Sequence, residues 1–391
     1  MPSRTVSTLR PTAVNSVLAE VKALQAQGRS IVSLMRGEPD FPTPPHIVAA
    51  ASEAMAKGRT TYPDNRGEMK LREAVAAKLL RDNQASYNPA TEVLVTTGAT
   101  QGLYCALTAL VDPGDEVLLP NPVYDAYQSP IRLTGAVPKP VASAFADGRF
   151  TLSVEALEAA ITPATKILLL NTPWNPVGTV FTTKELAAIG DFVLRHNLTL
   201  ISDEIYEAIT YDGCRHVSPA SLSAELKART VIVNSLSKTY AMTGWRSGYC
   251  AAPKSIIDAM FLVLQQSSRG PAMFVQDAST AALSGPQECV AEMQREYSRR
   301  RTIVMQGLSG IPGVQPIAPE GGFFVMADTR GLNEPSDQTR QRLLQKHGVV
   351  VVHGSAYGSQ GEGTLRISFS SGSVLEEGLI RLRKGLLEPL Q

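Results

Sequence analysis

Apolar residues recur at helical spacing over residues 14–27: Val14, Val17, Leu18, Val21 and Leu24 share one face, and Gly28 is placed to end the helix. After the loop GEPDFPTPP, Thr43 can cap a second helix with Pro44 in its first turn. Leu71, Val75, Lys78 and Leu79 mark a third, opening near Gly67. The pattern then changes. Short, almost continuously apolar runs occur at Glu92–Thr97, Glu116–Leu119, Lys166–Leu170, Leu198–Ile201, Thr230–Val233 and Gly248–Ala252, with helix-like segments such as Thr183–Arg195 between most of them. Apolar strands alternating with helices predict a mostly parallel sheet covered on both faces. Beyond about Gly285 the texture shifts again, to a long charged helix over Glu288–Leu308, a hairpin-like stretch at Gly321-Gly322 and Phe323–Ala327, and a terminal helix over Glu376–Leu387. The expected fold is α/β, with a large domain over 45–285 and a smaller α+β domain built from 286–391 and completed by 1–44.

Bulk properties narrow the function. A chain of 391 residues has room for two domains. Its formal net charge of +1 offers no electrostatic case for a nucleic-acid or membrane partner. The longest apolar runs, such as Ile167–Leu170 and Val349–Val352, are too short to span a bilayer, and the N-terminus MPSRTVSTLRPTAV lacks an apolar core of signal-peptide length. Cys105, Cys214, Cys250 and Cys289 show no CxxC spacing, which reads as reduced structural thiols in a cytoplasmic protein. The five histidines do not cluster at ligand spacings, so no metal site is expected.

The candidate chemistry gathers at the ends of the predicted strands, where open α/β sheets place ligands. In SLSKTYAMTGWRSGY, Lys238 lies beside serines and eight residues before Arg246, an arrangement that suits a phosphorylated aldehyde. The amine forms an imine, and hydroxyls and a guanidinium hold the phosphate. Gly98-Ala99-Thr100 opens a helix whose first N–H groups can face an anion, without the spacing of a P-loop. In NPVYDAY, Tyr124 is either a packed loop aromatic or a face for a flat ring. In NTPWNPVGT, Asn175-Pro176 is either a plain turn or places an amide against a phenolate oxygen. In SDEIY, Asp203 ends a very apolar strand; it is either a helix N-cap or a buried carboxylate that needs a cationic partner such as a protonated pyridine, with Tyr206 three residues on. Taken together these are the needs of pyridoxal 5′-phosphate (PLP), a cofactor that acts as electron sink while the protein tunes it.

On these motifs the chain resembles the class I/II aminotransferases of PLP fold type I, the group of aspartate, aromatic and kynurenine aminotransferases, over nearly its whole length. The resemblance implies a large domain with a mostly parallel seven-stranded sheet between helices, and a homodimer with active sites at the subunit interface. It implies that Lys238 holds the cofactor as a Schiff base, Asp203 pairs with the ring nitrogen, Tyr206 and Asn175 bond the 3′ oxygen, and Tyr124 stacks on the ring. Gly98, Ala99, Thr100, Ser235, Ser237 and Arg246 would hold the phosphate, joined by Tyr62 from the neighbouring subunit. Arg366 in LRISFS, helped by Gly37, would grip the substrate α-carboxylate, a bidentate task suited to a planar guanidinium. Without the rest of the pattern, Arg366 reads instead as an edge-strand arginine on a solvated face. The implied reaction is ping-pong transfer of an amino group from an L-amino acid to a 2-oxo acid. A C–S lyase, racemase, decarboxylase or oxidase on the same scaffold is the alternative.

The sequence also departs from the family pattern. Arg36 precedes Gly37 where relatives more often carry a small or apolar residue, and Arg269 in QSSRGPAMF stands where a small polar residue is usual. Either arginine is an exposed side chain with structural partners or a reader of an acidic side chain, a phosphate or a larger polar substrate. His353 occupies a common proline position. Thr100 stands where some aspartate-using relatives carry lysine, which argues against their dicarboxylate mode.

Overall fold

Seven strands build the larger sheet: β1 (Val93–Thr96), β2 (Glu116–Asn121), β3 (Val137–Ala142), β4 (Thr165–Asn171), β5 (Thr199–Asp203), β6 (Thr230–Ser235) and β7 (Gly248–Ala251). The computed structural model describes residues 3–7, 9 and 11–388, so residues 1, 2, 8, 10 and 389–391 of the expected small domain lie outside the described residues. The strands lie in the order β1-β7-β6-β5-β4-β2-β3, with β7 alone antiparallel to its neighbours.

Both faces of this sheet are covered, which explains the unbroken apolar runs. Val117, Leu119, Ile167, Leu169 and Ile201 pack on one face with the helix Ala99–Leu110. The alternate residues Leu118, Leu168, Leu170 and Leu200 pack on the other with Thr183–Arg195. Strand β3, sequence VPKPVA, was not among the apolar runs. It is largely exposed and carries two prolines, which an edge strand tolerates because ladder donors are not needed on its open side.

A second, antiparallel sheet holds β8 (Gln315–Ile317), β9 (Phe324–Asp328), β10 (Val352–His353) and β11 (Thr364–Ser368) in the order β8-β9-β11-β10. Tyr297, Val304 and Leu308 of the helix Glu288–Leu308 and Leu379 and Leu382 of Leu375–Leu387 share a core with Phe323, Val325 and Ile367. The N-terminal segment joins this half. Val32–Ser33 pairs in parallel with Val349–Val350, and Val17, Val21 and Leu24 of the helix Ala13–Ala26 pack on Leu344, Val350 and Tyr357. Among the described residues no helix is long and apolar enough to cross a membrane.

Two expectations are corrected. Thr43 does not cap the second helix, which spans Pro45–Ala56 with Pro44 at its N-cap and no side-chain cap. The Thr43 hydroxyl is engaged elsewhere: it donates to the Ala241 carbonyl at 2.8 Å and accepts from Trp245 Nε1 at 3.0 Å. The edge-strand reading of Arg366 also fails. Strand β11 is interior to its sheet, and Arg366 is 2% exposed.

Candidate active site

Strands β1, β2, β4, β5 and β6 end on one side of the large sheet, above a cavity of about 450 Å³. Ala99, Thr100, Tyr124, Asn175, Asp203, Tyr206, Ser235, Ser237, Lys238 and Arg246 line it from that sheet's side, and Gly37 and Arg366 from the other half.

Asp203 is the last residue of β5 and is deeply buried. Burial pushes its carboxyl up to about 6, while the Tyr127 hydroxyl donating to Oδ2 at 2.6 Å and the Ile205 N–H donating to Oδ1 at 3.2 Å favour the charged form. Lys238 sits in the short helix Leu236–Thr239 that follows β6, and its Nζ donates to the Gly37 carbonyl at 2.5 Å. Burial pushes this ammonium down to about 8; Arg246 and Arg366 add repulsion, and Glu38 and Asp203 oppose it. The site thus holds an amine that is easily made neutral beside a carboxylate held charged by donors.

One end of the cavity is built for an anion. Gly98 precedes the helix Ala99–Leu110 with φ +78°, and a Cβ there would lie 2.8 Å from Arg246 Nη2. Arg246 itself has φ +56° and donates from Nη1 to the Thr243 carbonyl at 3.1 Å. Backbone strain of this kind persists where the surroundings fix a functional geometry. Ser235 caps the Leu236–Thr239 helix, its hydroxyl accepting from the Ser237 N–H at 3.3 Å.

The opposite end holds Arg366. Its guanidinium lies between the rings of Phe324, 4.1 Å from the centroid, and Tyr357, at 5.1 Å. Nη1 donates to Asn175 Oδ1 at 3.3 Å and Nη2 to the Met35 carbonyl at 2.9 Å, and it forms no ion pair with a carboxylate among the described residues. With Oδ1 turned to Arg366, the Asn175 amide nitrogen is left as a donor. Asn175 is fixed from below, because its N–H donates to Asn171 Oδ1 at 2.7 Å and Asn171 Nδ2 donates to the Asp203 carbonyl at 2.9 Å. Tyr206 stands edge-on to Phe323 at 5.3 Å, and Tyr124 edge-on to Tyr127 at the same separation.

Four of the sequence candidates do not line this cavity: Gly98, which sits just before its anion-facing helix, Tyr62, Arg269 and Arg36. Tyr62 is 80% exposed, the Arg269 guanidinium lies 5.0 Å from its ring centroid, and the Arg36 side chain is exposed beside the loop that carries Gly37. Sequence reasoning passed over Tyr127, three residues beyond Tyr124 in the same motif, and the wall formed by Thr12, Val14, Asn15 and Asp125. Asp125 Oδ2 accepts from the Ala13 N–H at 2.7 Å, a contact across sequence that no local pattern announces.

One group outside the cavity does bring possible metal-ligating atoms together, with a single histidine in it. Ligand atoms of Glu204, Glu207 and His216 lie within 4.8 Å of one another beneath the sheet ends. Donors already fill this cluster: Ser202, Ser218, Asn83 and His216 bond to Glu204, and Lys78, Asn83 and Asn234 to Glu207. It braces the segment between Asp203 and Ser235 instead of offering open coordination.

PLP fits the donor set: a near-neutral amine, a buried carboxylate for a ring nitrogen, an amide and a phenol for an oxygen, and an anion cradle at one end. The sequence profile described as aminotransferase class I and II matches residues 29–382. The chain is 39% identical to the aspartate aminotransferase of Geobacillus stearothermophilus over 388 residues, covering 98% of each. It is 40% identical to aromatic-amino-acid aminotransferase 2 of Thermococcus litoralis, over 93% of this chain and 94% of that one. The solved structure of the aspartate aminotransferase from Rhizobium meliloti superimposes with a TM-score of 0.95 at 36% identity, covering 99% of this chain and 98% of that one. The chain therefore belongs to the class I and II aminotransferases, enzymes that move an amino group between an amino acid and a 2-oxo acid with the help of pyridoxal phosphate.

Proposed function

We propose that this enzyme takes amino acids with neutral side chains, in a cytoplasmic homodimer, with the residue roles that follow. The observation that carries the roles is the common cavity, in which Lys238 and Arg366 approach from two halves of the chain with Asp203 between the strand ends. Arg246, Ser235, Ser237, Thr100 and the first N–H groups after Gly98 hold the phosphate. Tyr124 covers the ring, and Asn175 and Tyr206 donate to its 3′ oxygen. Asp203 keeps the ring nitrogen protonated. Bound there, PLP supplies an electron sink for the charge left at Cα when its proton departs. Arg366, with the Gly37 backbone, orients the α-carboxylate of both donor and acceptor, so one grip serves both halves of the reaction. Lys238 holds the cofactor, then takes the Cα proton as general base and delivers it as general acid.

The preference for neutral side chains rests on the cavity wall. Its cations are Lys238, Arg246 and Arg366, and the wall near the N-terminal helix is Thr12, Val14, Asn15 and Asp125. Among the described residues of that wall a second substrate carboxylate would meet Asp125 and no cation. The exposed Tyr62 ring, carrying Arg269, supports the dimer, in which it would complete the partner's phosphate site. The two sheets support a division into 45–285 and 1–44 with 286–391.

The test is a half-reaction panel. Purified protein should be yellow, should bleach with a neutral L-amino acid in the absence of an oxo acid, and should release the matching 2-oxo acid instead of ammonia, thiol or carbon dioxide. A Lys238→Ala variant should lose transamination; one that turns over at the parent rate sinks the assignment. Faster bleaching by aspartate than by any neutral donor would overturn the side-chain preference alone.

A further inference from the structure

Tyr127 is buried, comes from the turn Asp125–Tyr127 after β2, and reaches Asp203 at the end of β5, two strands away in the sheet. Its hydroxyl donates to Asp203 Oδ2 at 2.6 Å. A donor bonded to an ionised acceptor at that separation makes one of the stronger hydrogen bonds available to a side chain. Both residues are only 4% exposed, so the bond is largely shielded from bulk solvent. The ring is not free to turn away: it stands at 90° to the Tyr124 ring and packs in the core that includes Ile131 and Leu169.

We propose that Tyr127 is a positioning residue for amino transfer: its hydroxyl holds the Asp203 carboxylate in place and in its charged form, and so governs how firmly a proton stays on the cofactor's ring nitrogen. Tyr127 can only donate, since burial and the neighbouring Asp203 keep its phenol protonated. The other titratable groups facing Asp203 cannot replace it. Glu204 opposes the carboxylate's charge, Lys238 favours it, and Tyr124, Tyr206 and Cys250 face it without a hydrogen bond to it.

The direction of the effect follows. Without the Tyr127 donor, Asp203 attracts the ring-nitrogen proton more strongly. The ring then withdraws less electron density from the nitrogen of Lys238, and that nitrogen keeps its own proton to higher pH. A purely structural tyrosine would leave this balance untouched.

The experiment titrates the visible absorbance of the PLP-loaded protein against pH. Tyr127→Phe keeps the ring and removes the donor. Its midpoint should rise by about half to one pH unit. The ¹⁵N resonance of labelled ring nitrogen should move toward the unprotonated position. The maximal half-reaction rate should fall about tenfold, with KM for the donor within about twofold, because Arg366 is unchanged. Placing 3-fluorotyrosine at position 127, a stronger donor of nearly the same shape, should move the midpoint down. A loaded Tyr127→Phe protein with the parent midpoint and the parent ¹⁵N shift overturns the proposal. If that variant takes up no PLP, the 3-fluorotyrosine protein decides, and an unmoved midpoint there overturns it equally. The readout needs no knowledge of the physiological donor, so it stands apart from the side-chain preference above.

Discussion

At the scale of single residues, Lys238 and Arg366 owe their chemistry to burial. Because the Lys238 ammonium is pushed down to about 8, it is cationic below that pH and a free nucleophile above it. The rate at which cofactor-free protein captures PLP should therefore rise about tenfold between pH 7 and pH 9, followed by stopped-flow absorbance. A flat profile would show that the amine is not held near neutrality. Arg366 is held between two rings with two of its nitrogens already committed. A lysine there would offer one point charge without the planar fit. Arg366→Lys should lower kcat/KM for the half-reaction about a hundredfold, chiefly through KM. Most of these residues were legible because each lines the cavity and sits in a motif of fixed spacing at a strand end. Tyr127 was not, because it acts on Asp203 76 positions away. Nor did LRISFS announce that Phe324 and Tyr357 would enclose the arginine.

Elements were legible where a single period dominates. The helices over Thr183–Arg195 and Glu288–Leu308 fall within the predicted bounds, since their patterns are long and their ends carry caps or breaks. Strand β3 escaped because its prolines suit an edge and an edge buries little. Thr43 misled because a capping hydroxyl and a tertiary donor look identical in sequence. Close packing between elements is invisible in the same way. Gly102 lies within Ala99–Leu110, and a Cβ there would come 2.6 Å from Cys250 Sγ on β7. Glycine to alanine in a helix ordinarily gains about 0.5–1 kcal/mol. Here overpacking costs about 1–3 kcal/mol, so Gly102→Ala should be net destabilising in urea unfolding. Adding Cys250→Ala should recover much of the loss. A Gly102→Ala protein more stable than its parent would contradict this close approach of helix to sheet.

At the scale of the whole molecule, the two halves meet through a shared apolar core, in which Tyr206, Ile209 and Tyr211 pack with Leu34, Phe323 and Phe324, and through polar contacts. Asp125 accepts from Ala13, Thr43 donates to Ala241, Thr243 donates to Glu38, and Arg149 bonds Glu320. Sequence texture leads one to expect a change of architecture near Gly285, but which side chains cross the seam depends on the assembled fold.

Arg366 has a further consequence for the molecule as a whole. It is a buried cation that forms no ion pair among the described residues, so the folded state holds an unneutralised charge near its centre. Any small monocarboxylate able to enter serves as its counter-ion and favours the native state by mass action. Heat resistance should then depend on the buffer: acetate or propionate at 100 times its dissociation constant should add about 2.7 kcal/mol, seen as a higher melting temperature by calorimetry of the PLP-loaded protein. Arg366→Gln should melt at the same temperature with and without the salt. Thermal stability would thus report occupancy of the substrate grip in molecules that carry a carboxylate and no amino group, and that therefore never react.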